Sequence, residues 1–213
     1  MIDQDLKRSL GQMMKGVQVV ASAHDGVERG YCSHWVCQVS FEEPILLASV
    51  SPKHDTHPLI AASGRFAVSI LAADQVDVGQ YFSYPGRRFK YLADEHLELI
   101  DGLPVVRNCI AWLACEVIGR QQSVSLPGPD GSVPDPATAE LLDHELFFAR
   151  VTSVGEGRLG EPPLLYSSRL GWRITGDKAR EPGRSIRDRL LERLAELEGT
   201  EGSDDGDAAA DGG

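Results

Sequence analysis

Short β-rich runs cut by turn signals, only a few helix-like stretches, and one long Pro/Gly segment in the second half predict a mainly β fold. The pattern is that of an antiparallel barrel with short helical inserts. The chain of 213 residues suits one substantial domain, or one domain plus an appendage. Its 42% hydrophobic and 25% charged content is ordinary for a globular protein.

Residues 15–23 read as the first strand, followed by an Asp25-Gly26 turn and a second strand over 29–40. The apolar run 45–51 lies between Pro44 and Pro52 and reads as a buried strand. Asp55, with Pro58 in the first turn, marks a helix start that should run to Ser63 and stop at Gly64. Residues 65–71 are a strand with Phe66, Val68 and Ile70 on one face, and 74–82 fit a helix capped by Asp74. Further strands are expected over 109–120, 144–154, 164–167 and 171–174. Residues 121–143 between them, rich in Pro and Gly at the centre, read as a lid, a rim loop or a tolerated insertion.

Ile186, Leu190, Leu194 and Leu197 place an apolar stripe on a helix over 184–197, to dock on the barrel or on a second subunit. Residues 199–213 are Gly/Asp/Ala-rich and expected to be disordered. The division is thus a barrel domain over 1–178, a helix over 179–198 and an acidic tail over 199–213.

The net charge is −11, and the tail's five acids account for part of it, leaving −6 on the remainder. A net-acidic body has no long-range attraction for nucleic acid or an anionic membrane, while a local basic pocket can still hold a small anion. The N-terminal residues lack an export signal, no apolar run reaches membrane-spanning length, and the four cysteines are expected as free thiols. The expected location is the cytoplasm.

Three stretches carry candidate chemistry. Residues 30–44 form a strand polar on both faces; alternation puts Ser33, Trp35, Cys37 and Val39 on one side and Cys32, His34, Val36 and Gln38 on the other, suggesting a ligand lying along it. Residues 49–58 bring Ser49, Ser51, Lys53, His54 and Thr56 to a helix N-terminus, a place suited to a phosphate. Residues 142–154 open with Asp143 and His144 ahead of an apolar alternation through Leu146 and Phe148. His144 is read either as a surface residue at a strand start or as a site residue. No metal-ligand spacing emerges: Cys32, His34 and Cys37 do not follow a zinc pattern.

In order and spacing these stretches resemble the flavin reductase-like family with the FMN-binding split-barrel fold. Cys32 to Val36 takes the place of a Thr-Ala-Ser-Ser-Phe-like strand, and Val39 to Pro44 that of a Val-Ser-x-x-Pro turn. Ser51 to Thr56 matches a Ser/Thr-bearing helix start, Phe66 to Ser69 a Phe-Val-Val-Asn-like strand, and Leu164 to Tyr166 a short Leu-Leu-Tyr strand. Asp143 to Phe147 matches a Gly-Asp-His-x-Leu-Phe signature, with Leu142 standing in place of the glycine.

The resemblance implies a split barrel, FMN as cofactor and NADH or NADPH as co-substrate. It implies contacts to the flavin ring and ribityl chain from backbone N–H groups and the side chains of Cys32, Ser33, His34 and Trp35, with Gln38, Val39, Ser49 and Ser51 also in the cofactor site. Lys53 and Thr56, with the helix start, would hold the phosphate, with Arg87, Arg88 and Lys90 closing over it; the plain alternative for that basic run is a solvated loop. His144 would face the nicotinamide as the catalytic residue. The resemblance further implies a homodimer with the flavin at its two-fold interface, and a partner monooxygenase receiving reduced flavin. An FMN-bearing electron carrier without nicotinamide turnover is the alternative.

Overall fold

The computed structural model describes residues 4–84, 93–124, 140–168, 171–174, 177–178 and 186–201. Helix α1 (Gln4–Leu10) leads into strands β1 (Lys15–Gly16), β2 (Gln18–His24), β3 (Val27–Ser33), β4 (Val36–Gln38) and β5 (Ile45–Val50). Helix α2 (Thr56–Ser63), strand β6 (Arg65–Ile70), and helices α3 (Val76–Ser83) and α4 (Ala93–His96) follow. The remainder is β7 (Leu97–Ile100), β8 (Leu103–Val106), β9 (Ala111–Val124), β10 (Glu140–Glu156), β11 (Leu165–Ser167), β12 (Gly171–Ile174), β13 (Asp177–Lys178) and α5 (Arg187–Glu201).

Seven strands pair antiparallel in the order β3-β2-β6-β9-β10-β5-β4. The consecutive strands β3 and β4 occupy opposite edges of this sheet, joined only by His34 and Trp35. Laid flat, seven strands would set the edges about 29 Å apart, whereas the link spans at most about 11 Å. The sheet must therefore curl until its edges nearly meet, which is the split-barrel form the sequence predicts. A bond from the Ser49 N–H of β5 to the Trp35 carbonyl, 3.0 Å, fastens the link to the β4 side.

Inside the curl lies a core of Val20, Tyr31, Leu46, Ala48, Val50, Ile60, Phe66, Val68, Phe147 and Ala149. The other face of β2 and β6 contributes Val19, Ala21 and Ala67 to a second core with Leu71, Tyr81, Phe82, Leu164, Trp172, Ile186 and Leu190. Both faces of the central strands are thus covered, which is why 65–71 reads as almost uninterrupted apolar sequence. A small sheet in the order β1-β11-β12-β13 borders the second core.

Several expectations need correction. The continuous strand over 29–40 is two strands: His34 turns aside to stack on Tyr166 at 4.3 Å, nearly parallel, with Trp172 edge-on at 5.9 Å. Residues 15–23 also divide, because Val17 is bonded to Leu164 and Leu71 rather than within one strand. Asp74 does not cap α3; its carboxylate is held at both oxygens by Arg158, 2.7 and 2.5 Å, and Gln75 stands at the N-cap. Asp55 sits at the N-cap of α2 without a side-chain capping bond, while the helix ends as expected at Gly64, φ 66°.

Strands β9 and β10 extend into the predicted 121–143 loop, pairing Val124 with Glu140, so the part without a described structure shrinks to 125–139. Helix α5 continues to Glu201, so residues 199–201 are helical; 202–213 lie outside the described residues. The first half of the 186–197 stripe docks on the chain's own second core. Ile186 and Leu190 are buried in the second core, Arg189 bonds Asp77 of α3 at 2.6 Å, and Arg193 pairs with Glu95.

His34 is half-buried, and burial pushes its imidazole down to about 4, against a smaller raising effect from the Gly16 backbone. Between pH 6.5 and about 4 the unfolded chain binds a proton that the folded imidazole refuses, so His34 removes stability as pH falls through that window. With a discount for its partial exposure, His34→Phe should reduce the acid loss of stability by about 1–2 kcal/mol, read by urea denaturation across the window. Parallel pH profiles for the two proteins would refute this. Gly79 of α3 offers a second test: a Cβ there would lie 2.8 Å from a ring carbon of the buried Trp172. Gly79→Ala, which on an open helix face would gain up to about 1 kcal/mol, should here lose about 1–3 kcal/mol. An unchanged or raised unfolding midpoint would show that Trp172 yields freely.

Candidate functional site

The curl brings together residues that are far apart in sequence. Trp35 is clipped at both backbone ends: its N–H donates to the Ser33 hydroxyl at 3.2 Å, and its carbonyl accepts from Ser49. The indole itself is 50% exposed. His144 meets it edge-on at 4.6 Å, and the Lys15 ammonium lies 5.5 Å from its ring centroid. An exposed tryptophan braced by a histidine, a cation and two backbone bonds is fixed without being covered, as a ligand platform has to be.

Beside it runs the turn into α2. The Lys53 N–H donates to the Ser51 hydroxyl at 3.3 Å, the His54 N–H to the Ser51 carbonyl and the His57 N–H to the His54 carbonyl, both at 3.0 Å. The His54 ring stacks on Tyr31 at 4.3 Å. Burial pushes the His54 imidazole below its usual range, and neighbouring His144 adds to the shift. Asp143 holds the His144 Nδ1 at 2.9 Å, and this bond, with a weaker contribution from Lys53, lowers its carboxyl. Lys53, His54, Asp143, His144 and Trp35 therefore form one neighbourhood.

Beneath it, Glu145 is only 5% exposed. Arg120 of β9 donates two bonds to it, 2.7 and 2.9 Å, and His57 of α2 closes on it at 2.6 Å. The arginine holds the carboxyl below its ordinary value, with burial opposing and His57 assisting. The Arg120 guanidinium lies 5.2 Å over the Phe147 ring.

The expected site residues fare unevenly. Trp35, His144, Ser49, Ser51 and Lys53 converge as described. His34 sits behind Trp35, and its buried Nδ1 has no hydrogen-bond partner among the described residues. Ser33 is buried with its hydroxyl taken by the Trp35 N–H, and Thr56 is buried at the start of α2, so Ser51, Lys53 and His54 form the open part of that turn. Cys32 packs against the second core, where burial pushes its thiol up to about 12. Gln38 and Val39 belong to the exposed edge, with the Gln38 amide donating to the Ser40 carbonyl at 2.9 Å. Arg87, Arg88 and Lys90 lie outside the described residues.

The 144–154 reading is corrected twice. β10 begins at Glu140, so His144 lies inside a strand, and the buried phase is Glu145, Phe147 and Ala149 rather than Leu146 and Phe148. These residues face Val50, Ala48 and Leu46 of β5. Sequence reasoning missed Glu145, Arg120 and His57. A carboxylate in phase with Phe147 and Ala149 was the available signal, because a charge on a buried strand face needs a partner. Lys15 carried no signal, since only the curl brings it to Trp35.

Among the described residues no helix is long and apolar enough to cross a membrane. The flavin reductase like domain family model matches residues 10–170. The reductase component of a 4-nitrophenol 4-monooxygenase/4-nitrocatechol 2-monooxygenase from Rhodococcus opacus is 26% identical over 84% of this chain and 90% of its own length. Flavin-dependent monooxygenase reductase subunit HsaB of Mycobacterium tuberculosis is 30% identical over 74% of each. The crystal structure of nitrilotriacetate monooxygenase component B from Mycobacterium thermoresistibile, 24% identical, superposes with TM-score 0.65 over 88% of this chain and 93% of that one. Flavin reductase PheA2 in its native state gives 0.60 over 81% and 97%, at 23% identity. A curled antiparallel sheet whose edges are tied at His34 and Trp35, matched over three quarters of its length, makes this chain a member of the flavin reductase-like domain family.

Proposed function

We propose that this protein takes hydride from NADH or NADPH, reduces a flavin held beside Trp35 and His144, and passes reduced flavin to a partner monooxygenase. The observation that carries the reading is the neighbourhood of Trp35, Lys53, His54 and His144 within the family-matched region. The relatives above bear the names of reductase components and subunits that work with monooxygenases.

The residues present fit a flavin. The open indole of Trp35 offers a π surface for a flat ring, and the buried, unpartnered Nδ1 of His34 suits a polar edge of that ring. The Lys53 ammonium and the Ser51 hydroxyl, which accepts the Lys53 N–H and can donate its own proton, suit an anionic phosphate; FMN and FAD both carry one, and FMN is the form taken here. When bound, the flavin supplies the hydride acceptor, and the protein supplies position and a shielded face. His144, steadied by Asp143 and Trp35, orients the nicotinamide; no protein acid or base is required for the transfer itself. Cys32, as a protonated thiol, serves packing and not nucleophilic chemistry.

Mixing the purified protein with FMN or FAD and following NADH or NADPH oxidation tests the whole reading; no oxidation under any of the four pairings would overturn it. His144→Ala should raise the KM for the nicotinamide about ten- to a hundredfold while leaving flavin affinity nearly intact. Equal losses in both would return His144 to a structural part.

The same reading takes a homodimer. Trp35, Val39 and Phe41, the last 94% exposed, set large apolar groups along the β4 edge, and a surface of that kind is normally covered. Sedimentation of the flavin-loaded protein at micromolar concentration should give a dimer; a clean monomer would remove it.

A further inference from the structure

Glu145 is the only carboxylate that is buried among the described residues, and it lies one position beyond His144 on β10. Burying a charge is expensive, and an apolar side chain opposite Val50 would fill the space beside Phe147 without that cost. Its partners suggest what the charge is for. Arg120 grips both carboxylate oxygens from β9, and His57 reaches the same group from the first turn of α2. From His57 an unbroken series of bonds runs back through the turn: His57 N–H to the His54 carbonyl, His54 N–H to the Ser51 carbonyl, and Lys53 N–H to the Ser51 hydroxyl. The Tyr31 ring stacked on His54 steadies the same turn from β3.

We propose that Glu145, braced by Arg120 and acting through His57, is a positioning residue that sets the 51–54 turn for the flavin phosphate and so makes the protein prefer phosphate-bearing flavins. This inference rests on the flavin reading given above. Glu145 and His57 touch neither substrate nor cofactor. They fix where the Lys53 side chain and the Ser51 hydroxyl stand, and a loosened turn should release the phosphate while leaving the ring's contacts at Trp35 and His34 in place.

The test is flavin affinity without turnover, read from the quenching of flavin fluorescence for FMN and for riboflavin. In the parent protein FMN should bind more tightly than riboflavin; equal binding would sink the phosphate assignment itself, whatever the variants do. Given that preference, His57→Ala should weaken FMN about tenfold and leave riboflavin within about twofold. His57→Gln, whose amide can still donate to the carboxylate, should recover most of the FMN affinity. Glu145→Gln should behave like His57→Ala. Arg120→Gln, at a half-exposed position, loosens the same carboxylate from the other side and replaces His57→Ala if that variant fails to fold. An undiminished preference for FMN in these variants, or an equal loss for both flavins, overturns the inference.

Discussion

Two residues, His34 and Trp35, tie together the opposite edges of a seven-stranded sheet, and most of what the protein can do depends on that closure. A link of this length leaves the sheet no option but to curl, and the curl brings Lys15, Trp35, Ser49 and His144 to one place. The two residues divide the work. His34 is drawn back into an aromatic stack with Tyr166 and Trp172, anchoring the link to the second core. Trp35 is pinned by backbone bonds on both sides, so its indole can stand in solvent without freedom to wander. A single Ala at position 34 would weaken the anchor, while one at 35 would leave the backbone clip and remove the platform.

Electrostatics follow from the same arrangement. The chain is acidic overall, yet the Lys15 ammonium stands over Trp35, Lys53 lies near Asp143, and Arg120 holds Glu145 in the layer below. Net charge governs long-range encounters, whereas a flavin phosphate responds to the few groups within a Debye length, about 8–10 Å at ordinary salt. An acidic chain with a lysine at that turn is thus compatible with the small anionic cofactor proposed above. Burial moves the thiols of Cys32, Cys109 and Cys115 upward, so they are packing groups and not reactive thiolates.

What the sequence made legible was whatever depends on local pattern. Strands 45–50 and 65–70 and the Gly64 stop came through because apolar runs, prolines and a positive-φ glycine act within a few residues. Turn chemistry also marks the β7–β8 hairpin, whose Asp101-Gly102 turn has both residues at positive φ. Other features depend on contacts that only the closed sheet creates. The break at His34 comes from Tyr166, more than a hundred residues on, and the loss of the Asp74 cap comes from Arg158. The phase of β10 turned on a carboxylate that looks misplaced until Arg120 and His57 are beside it.

The site residues show the same division. The candidates Trp35, Lys53 and His144 were picked out by motif spacing, because the order of strands fixes which segments meet; their roles are those proposed above. Arg120 and His57 gave no signal of their own, and Glu145 only the misfit of a charge on a buried strand face; on the inference above, each matters only through the next. This separation has a mechanical logic. Groups that contact a ligand must stay open, and open side chains are held weakly by their own packing. The restraint therefore comes from one layer below, where a buried carboxylate exchanges charged hydrogen bonds with β9 and α2 in a low-dielectric setting that strengthens them. The buried charge between α2 and β10 is thus the complement of the exposed indole above it: the first sets the geometry that the second presents.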